Sequence, residues 1–552
     1  MNRSIHLTES YWPADTTEDL LNLSLGDLLR QVASEVPDRM ALVEGIPDAQ
    51  ARRRWTYAQM LATAEQVARA LLSRFETGER IAVIAANCPE WVLLQHGVSL
   101  AGMVLVPVNP AYKAAEVEVL LRSSQTVGIF HADVYRDNDL RQLIAKVQPS
   151  LPLLREVVSL SDWDTFLQSG DAATPLPVVA PEQMVLIQYT SGTTGIPKGA
   201  CLHHRGVINT SRQVARRAGF EDGDVWVNAM PMFHIGGSVV TELGTITSRG
   251  TYVIMPGFDP AQMLDVIESE RGNATLIVPT MILNLLEHPA FHNHDLSSIK
   301  TILSGASAVP AALVHRTKEA LGCQFTILFG QTELNGVVCQ TRVDDSIEDQ
   351  SQTLGQPLPQ VELKIACPET GEVRPIGVSG EIYARGYQLM LGYFGMPEAT
   401  QATIGDDGWL HTGDLGIMDE RGYVRIAGRL KDMIIRGGIN IYPREIEDAL
   451  FDHPDVNQAA VIGIPDEKWG EVIAAIILPN TPQQPPSASD LFAYCRDKLA
   501  AHKAPTLWYF VDAYPLTPSG KIQKFKLLEW VDSGVIKPVV WERPASASSR
   551  GP

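Results

Sequence analysis

Residues 189–199, Tyr-Thr-Ser-Gly-Thr-Thr-Gly-Ile-Pro-Lys-Gly, combine the residue types that bind phosphate groups. Glycines let the backbone approach a ligand and point N–H groups at an anion. The hydroxyl side chains add donors for phosphate oxygens, and Lys198 adds a positive charge. The segment follows an apolar run, 184–188, which predicts a position at the carboxyl end of a strand, where ligands bind in open α/β sheets. This position favours a phosphate-binding loop over a surface loop of small residues.

Two common nucleotide-binding signatures are absent from the sequence. The phosphate loop GxxxxGK[ST] does not fit, because Pro197 precedes Lys198, and no GxGxxG segment is found. Kinase motifs are also missing. The sequence therefore indicates a phosphate site of another kind.

Six further motifs follow the loop in a fixed order. They are Ser304-Gly-Ala-Ser307, Phe329-Gly-Gln-Thr-Glu333, Trp409-Leu-His-Thr-Gly-Asp414, Gly428-Arg-Leu-Lys-Asp432, Arg436-Gly-Gly-Ile-Asn440 and Pro518-Ser-Gly-Lys521. In this order and spacing, nearly the whole chain resembles the adenylate-forming superfamily of acyl-CoA synthetases, peptide adenylation domains and luciferases. Any one motif alone would be weak evidence for this resemblance.

The resemblance implies an ATP site. The loop would hold the β- and γ-phosphates, Phe329 would stack on the adenine in place of the family's usual Tyr, and Asp414 and Arg429 would contact the ribose. The implied ATP and AMP contacts are Thr190, Ser191, Gly192, Thr193, Thr194, Lys198, Gly305, Ala306, Ser307, Phe329, Gly330, Gln331, Thr332, Asp414 and Arg429.

The resemblance also implies catalytic residues. Thr332 and Glu333 would contact the α-phosphate and Mg²⁺, a metal that prefers few carboxylates together with phosphate oxygens and water. Lys521 would stabilise the charge that develops as the carboxylate attacks the α-phosphorus. The non-catalytic alternatives are that Glu333 is a solvated surface charge and that Lys521 is a solubilising lysine. We expect the second role for the nearby lysines Lys503, Lys524 and Lys526.

A second half-reaction with coenzyme A is implied as well. In the family the small C-terminal domain turns about a hinge, which Asp432 matches, and Gly437 and Gly438 would leave room for the pantetheine arm. An ordinary tight turn is the alternative interpretation of the two glycines. His234 would line the acyl site, although a single His among apolar residues is more often a core residue.

The acyl pocket should be open and apolar. Its expected residues are His234, Gly236, Gly237, Ser304, Asn335, Gly336 and Val337. The segments 233–238 and 331–337 contain no Arg or Lys that could pair with a second carboxylate. This favours a hydrophobic monocarboxylate, such as a medium or long fatty acid or a bulky cyclic acid; an aryl acid stays open.

Apolar strands that alternate with helices predict an α/β fold; the runs 80–85 and 275–279 are two of these strands, and 91–100 is one of the helices. We expect a large N-terminal domain, residues 1–429, with two covered sheets and, from about residue 350, a small barrel-like β element. A small mobile α+β domain, residues 430–552, should follow it, with a helix that Pro443 can start and a polar loop at 480–489.

Composition limits the partners. A net charge of −19 disfavours nucleic acid, no apolar run is long enough to span a membrane, and six widely spaced cysteines are typical of reduced thiols. The protein is therefore expected in the cytoplasm, with a carboxylic acid, ATP and CoA as partners; homodimer formation stays open.

Several activities remain open at this point. A ligase that loads a carrier protein is disfavoured, since residues 428–438 lack the insertion that such lipid-type enzymes often carry. A non-catalytic nucleotide-binding homologue should have lost Lys198, Glu333, Asp414 or Lys521, and all four are present. Nothing in the sequence points to a luciferase-like oxygenase.

Overall fold

The computed structural model describes residues 6–190, 197–305, 309–516 and 522–541. Within these ranges, two mixed β-sheets with parallel centres form the larger part of the fold. Helices cover both sheets. These features confirm the predicted α/β class.

The first sheet contains the apolar run predicted as a strand at 80–85. Ile81 and Val83 of this strand pack into one core cluster, whereas Ala82 and Ile84 pack into another. Successive side chains of a strand point to opposite faces, so both faces of this sheet are buried and both need apolar residues. The described strands are, in sheet order, Gly392–Tyr393, Lys198–His203, Met184–Thr190, Val104–Val108, Arg80–Ile84, Gly128–His131 and Glu156–Ser159. Lys198–His203 is antiparallel to both of its neighbours, and the other pairs are parallel.

The second sheet has the same design, with a parallel centre and antiparallel edges. In sheet order its described strands are Gln356–Pro357, Cys339–Gln340, Gln324–Phe329, Thr301–Gly305, Ala274–Leu276, Val225–Asn228, Thr251–Ile254, Met40–Glu44 and Arg54–Thr56. Because the central strands are parallel, Gly305 and Phe329 end at the same edge of the sheet.

Helices form three layers around the two sheets. In the helix Pro89–Leu100 every residue except Glu90 is buried, as expected for a helix packed between two sheets. The helices that share the central core are Leu25–Glu35, Tyr57–Leu72, Pro89–Leu100, Trp163–Gln168, His204–Arg217 and Glu242–Thr247. The outer faces carry Ala114–Ser123 and Leu140–Val147 on the first sheet and Pro260–Glu270, Pro279–Leu286 and Ala311–Leu321 on the second.

A third sheet is antiparallel and corresponds to the smaller β element expected after residue 350. Its described strands are Tyr11–Trp12, Val361–Ala366, Gly380–Gly386, Leu410–Met418 and Val424–Arg429. The helix Ile347–Gln352 precedes Val361–Ala366 in the chain, and Pro397–Thr403 lies between Gly380–Gly386 and Leu410–Met418. A single 3₁₀ turn, Leu430–Asp432, connects this sheet to the next.

The C-terminal sheet has its own apolar core. The described strands, in sheet order, are Ile439–Ile441, Ile434–Arg436, Gly470–Pro479 and Val456–Asp466, with Leu507–Phe510 paired in parallel to Gly470–Pro479. Its helices are Pro443–Phe451, Ala488–Lys498 and Lys524–Asp532. As predicted, Pro443 is the first residue of its helix.

Two predicted boundaries differ from the structure. The strand expected at 275–279 ends at Leu276, and Pro279 begins a helix, because proline fits the first helical position, where no N–H is needed. The polar loop expected at 480–489 ends two residues early, since Ser487 caps the helix Ala488–Lys498 by accepting a hydrogen bond from the N–H of Asp490.

His204 makes stability depend on pH. Burial lowers the pKa of His204 to about 3, and its Nδ1 accepts a hydrogen bond from the N–H of Leu25. An unfolded histidine has a pKa of about 6.5, so between these two pKa values the unfolded chain binds more protons and folding stability is lost as pH falls. We expect His204→Asn, which keeps an acceptor, to show a shallower fall of the thermal midpoint from pH 6.5 to 4 than the parent. The exposed His292→Asn serves as control; an unchanged slope in His204→Asn would contradict this role.

Candidate active site

Several predicted site residues lie at the carboxyl ends of strands. Thr190, Gly305 and Phe329 each end a strand of one of the two mixed sheets. The backbone is closely packed at the ends of the strands that contain Gly305 and Phe329. A Cβ on Gly305 would lie 2.5 Å from the carbonyl of Leu328, and one on Gly330 would lie 2.1 Å from that of Gly336. The predicted residues Ser191, Gly192, Thr193, Thr194, Ala306, Ser307 and Lys521 lie outside the described residues.

The structure brings three predicted nucleotide contacts together around one carboxylate. Gln331 donates from Nε2 to Oδ2 of Asp414 at 2.8 Å and to the carbonyl of Thr412 at 2.7 Å. Arg429, which pairs with Asp414 across two antiparallel strands, donates from Nε to Oδ1 at 2.9 Å. Asp414 is buried, so these charge-assisted bonds fix the carboxylate at the end of the Gln331 segment.

Lys431 is a neighbour of this carboxylate that the sequence did not single out. Burial, followed by the positive charge of Arg429, lowers the pKa of Lys431, whereas Asp432 and Asp414 oppose this shift. A second cation thus lies beside the predicted ribose contact. The only signal in the sequence is its position between Arg429 and Asp432.

Glu333 lies in the short 3₁₀ turn Thr332–Leu334, directly after Gln331. Its Oε1 accepts a hydrogen bond from the hydroxyl of Tyr393 at 2.8 Å, and burial, followed by the charge of Glu333, raises the pKa of Tyr393. The ammonium of Lys198 lies 4.9 Å from the centroid of the Tyr393 ring. Tyr393 therefore connects the predicted metal residue with the lysine of the phosphate loop, and no motif indicated it.

Asn335 stabilises the turn that contains Glu333. Asn335 ends it in the left-handed conformation with φ of 52°, is fully buried and donates from Nδ2 to the carbonyl of Gln388 at 2.8 Å. Asn335 therefore stabilises the backbone around the turn as well as lying at the predicted pocket.

The predicted acyl-pocket segment forms a π-helix, Gly236–Thr241, which the sequence did not predict. π-Helices are rare and occur often at functional sites. Two carbonyls of this wide helix accept bonds from outside it: Ser238 from Gln95 Nε2 at 3.0 Å, and Val239 from Ser211 Oγ at 2.9 Å. The N–H of Gly236 donates to Nδ1 of His234 at 3.1 Å, so this ring nitrogen is the acceptor in that bond.

The three glycines predicted to open the pocket have different surroundings. A Cβ on Gly236 would lie 3.3 Å from Nδ1 of His234, 3.6 Å from Met230 and 3.7 Å from Leu276, and one on Gly336 would lie 3.2 Å from Val240. A Cβ on Gly237 would instead lie 2.4 Å from the carbonyl of Pro231, so close backbone packing accounts for this glycine.

Two buried residues complete the predicted pocket. Val337 lies in the apolar core, and Ser304 is fully buried with no hydrogen-bond partner for its hydroxyl among the described residues. The hydroxyl of Ser304 therefore has unused capacity to bind a polar group.

Gly437 and Gly438 form the two-residue turn of a β-hairpin between the strands Ile434–Arg436 and Ile439–Ile441. Their φ values, 59° and 80°, are both positive, as a type I′ turn requires. A Cβ on Gly437 would lie 3.0 Å from the Trp469 ring, whereas one on Gly438 would meet nothing within 4 Å. The tight-turn interpretation therefore describes their geometry.

Two lysines expected to be plain surface charges are paired instead. Lys503 contacts Glu445 at 2.6 Å and Lys524 contacts Glu447 at 2.6 Å. Within the described ranges, no cluster of three or more His, Cys, Asp or Glu side chains could hold a metal ion. All six cysteines are free thiols, and no helix of the described residues is long and apolar enough to cross a bilayer.

Two family descriptions match the chain. Residues 29–394 match the AMP-binding enzyme family, and residues 445–521 match the C-terminal domain of AMP-binding enzymes. The chain is 37% identical over 540 residues to a putative acyl-CoA synthetase, YngI, of Bacillus subtilis, covering 93% of this chain and 97% of the relative. It is 34% identical to the mouse mitochondrial medium-chain acyl-CoA ligase ACSF2, covering 95% of this chain and 90% of that protein.

A solved structure supports the fold as well. ATP-bound MatB from Rhodopseudomonas palustris superposes with a TM-score of 0.82 at 28% identity, covering 92% of this chain and 99% of the other. The matches span both the strand-end site and the C-terminal sheet. The chain therefore belongs to the AMP-binding enzyme family, and it is an AMP-forming ligase of the adenylate-forming superfamily that includes the acyl-CoA synthetases.

Proposed function

We propose that the protein activates a hydrophobic carboxylic acid with ATP to an acyl-AMP and transfers the acyl group to coenzyme A, releasing pyrophosphate and AMP. The observation that carries this proposal is the buried carboxylate of Asp414, held by Gln331 and Arg429. These three residues come from separate motifs that the family resemblance assigns to nucleotide binding, and their contact supports the proposal. The acyl-CoA synthetase and ligase names of the relatives support the reaction class.

Glu333 and Thr332 would hold Mg²⁺ and the α-phosphate. A single carboxylate fits this metal, since Mg²⁺ is commonly bound by one or two carboxylates, substrate phosphates and water. When bound, the ion would neutralise charge on the phosphate oxygens. The Tyr393 hydroxyl occupies Glu333 Oε1 and leaves the second carboxylate oxygen for the ion.

The chain's own residues would then carry out activation by positioning and charge. Asp414 accepts the ribose hydroxyls, Phe329 stacks on the adenine, and Lys198 with the preceding loop binds the outer phosphates. Lys521 stabilises charge on the α-phosphate as the substrate carboxylate attacks and pyrophosphate leaves.

The acid would be an apolar monocarboxylate. Apart from the imidazole of His234 beside Gly236, the side chains nearest to Gly236 and Gly336 are apolar: Met230, Leu276, Val240 and Ile235. The buried hydroxyl of Ser304 could receive one polar atom of the acid. The segments 233–238 and 331–337 contain no Arg or Lys that could pair with a second carboxylate. This favours a medium or long fatty acid, or a cyclic acid, over a dicarboxylate.

Transfer to CoA would use the C-terminal domain. The 3₁₀ turn Leu430–Asp432 is a short connection suited to a hinge at Asp432, between domains 1–429 and 430–552. The Gly437–Gly438 turn would face the pantetheine arm in the second half-reaction. Reduced thiols support a cytoplasmic location as part of the same proposal.

Gly438 offers the cleaner test of the pantetheine site. Gly438→Asn adds bulk in open space, and asparagine tolerates positive φ, whereas Gly437 is blocked by Trp469. We expect thioester formation from supplied acyl-AMP and CoA to fall about tenfold or more, a barrier change of about 1.4 kcal/mol, while acid-dependent ATP–pyrophosphate exchange is unchanged. The control Gly371→Asn also has positive φ (70°) and open space. Equal thioester rates in both variants would contradict the pantetheine role.

The acceptor and the acid can be determined in one assay. A panel of fatty, cyclic, aryl and dicarboxylic acids is tested for pyrophosphate release, and thioester is measured with CoA and with a phosphopantetheinylated carrier protein. The proposal predicts thioester on CoA with hydrophobic monocarboxylates. Thioester only on the carrier protein, or pyrophosphate release only with dicarboxylates, would overturn it.

A further inference from the structure

A short segment, residues 388–394, contacts both the turn that contains Glu333 and the strand that begins at Lys198. The N–H of Met390 donates to the carbonyl of Glu333 at 2.9 Å. The N–H groups of Leu391 and Phe394 donate to the carbonyls of Cys201 and Gly199, both at 2.8 Å. This segment therefore fixes the metal-site turn relative to the strand Lys198–His203, which begins at the loop lysine.

The side chain of Tyr393 also contacts both Glu333 and Lys198. Its hydroxyl donates to Glu333 Oε1 at 2.8 Å, and its ring lies 4.9 Å from the Lys198 ammonium. Only 8% of Tyr393 is exposed, so its ring has little freedom to move. One rigid side chain thus touches two flexible charged residues from distant segments.

We propose that Tyr393 is a positioning residue for the binding of Mg²⁺ with ATP. Its hydroxyl holds one oxygen of Glu333 so that the other faces the metal, and its ring holds the ammonium of Lys198 over the face by a cation–π contact. This inference rests on the proposed metal role of Glu333 and the proposed phosphate role of Lys198.

The two contacts of Tyr393 make separable predictions. Tyr393→Phe removes the hydroxyl but keeps the ring, so metal binding should weaken while Lys198 keeps its contact. Tyr393→Leu removes both, so binding of metal-free ATP should weaken as well. A tyrosine that only packs the edge of the sheet would change thermal stability without changing the dependence on Mg²⁺.

The test is calorimetric titration of the full chain with ATP, in EDTA and over a series of Mg²⁺ concentrations. For Tyr393→Phe we expect the Mg²⁺ concentration for half-maximal tightening of ATP to rise about tenfold to a hundredfold, with unchanged affinity in EDTA. For Tyr393→Leu, affinity in EDTA should also fall about threefold to tenfold.

The matched control is Tyr57→Phe, which removes another buried hydroxyl, bonded to the carbonyl of Gly250 at 2.7 Å. The Mg²⁺ dependence of this control should equal that of the parent. Equal Mg²⁺ dependence in Tyr393→Phe and the parent would overturn the positioning role alone. A parent that shows no tightening of ATP by Mg²⁺ would overturn the metal role of Glu333 together with this inference.

Discussion

Lys521→Ala is expected to reduce acid-dependent ATP–pyrophosphate exchange about a hundredfold to a thousandfold. Removing one preorganised group that stabilises transition-state charge typically has an effect of this size. Thioester formation from supplied acyl-AMP and CoA should stay near the parent rate, because the C-terminal domain would turn about the hinge at Asp432 before the second half-reaction and carry Lys521 away from the phosphate. Both rates are measured on the same protein sample, by isotope exchange and by thioester product.

Lys503→Ala is the control for this experiment. It removes a cation of the same C-terminal part of the chain, one that pairs with Glu445. Exchange in this variant should be unchanged. A Lys521→Ala protein that loses both half-reactions equally would contradict a role confined to adenylation.

Asp414→Asn is expected to lower kcat/KM for ATP by at least about a hundredfold, because each hydrogen bond to a buried charge contributes about 1.5–3 kcal/mol. The new amide would also place N–H groups near the donors of Gln331 and Arg429. Preference for ATP over 2′-deoxy-ATP should fall, since the charged acceptor for the 2′-hydroxyl is lost. Steady-state rates with both nucleotides measure this directly.

The control is Asp349→Asn, which removes another buried aspartate that accepts bonds from an arginine, Arg421, at 2.7 and 3.0 Å. This variant should lose thermal stability and keep its preference for ATP over 2′-deoxy-ATP. If Asp414→Asn also keeps that preference, Asp414 is not the ribose contact.

Much of the fold was predictable because its signal is local. The run at 80–85 is continuously apolar after Arg80, which predicts a strand buried on both faces, and the helix Pro89–Leu100 is mostly apolar and is buried at every position except Glu90. The π-helix Gly236–Thr241 was not predictable. It depends on Gln95 and Ser211, distant in sequence, which satisfy carbonyls of this wide helix.

The site also combines residues that motifs predict with residues that only the structure reveals. Gln331, Asp414 and Arg429 lie in family motifs, and the structure brings them into contact. Tyr393 has no motif of its own, because its role arises from the register of a two-residue strand against Lys198–His203. Gly237 was predictable as a glycine of the site, but its reason is packing against Pro231, which only coordinates reveal.

The measurement that tests the central claim most directly follows an oxygen atom. A hydrophobic acid labelled with ¹⁸O in its carboxylate is converted with ATP and CoA, and the nucleotide products are analysed by mass spectrometry. If an acyl-AMP forms and CoA displaces AMP, one labelled oxygen must appear in AMP, with one thioester per AMP. Label in inorganic phosphate with ADP as the nucleotide product, or unlabelled AMP, would contradict the proposed reaction.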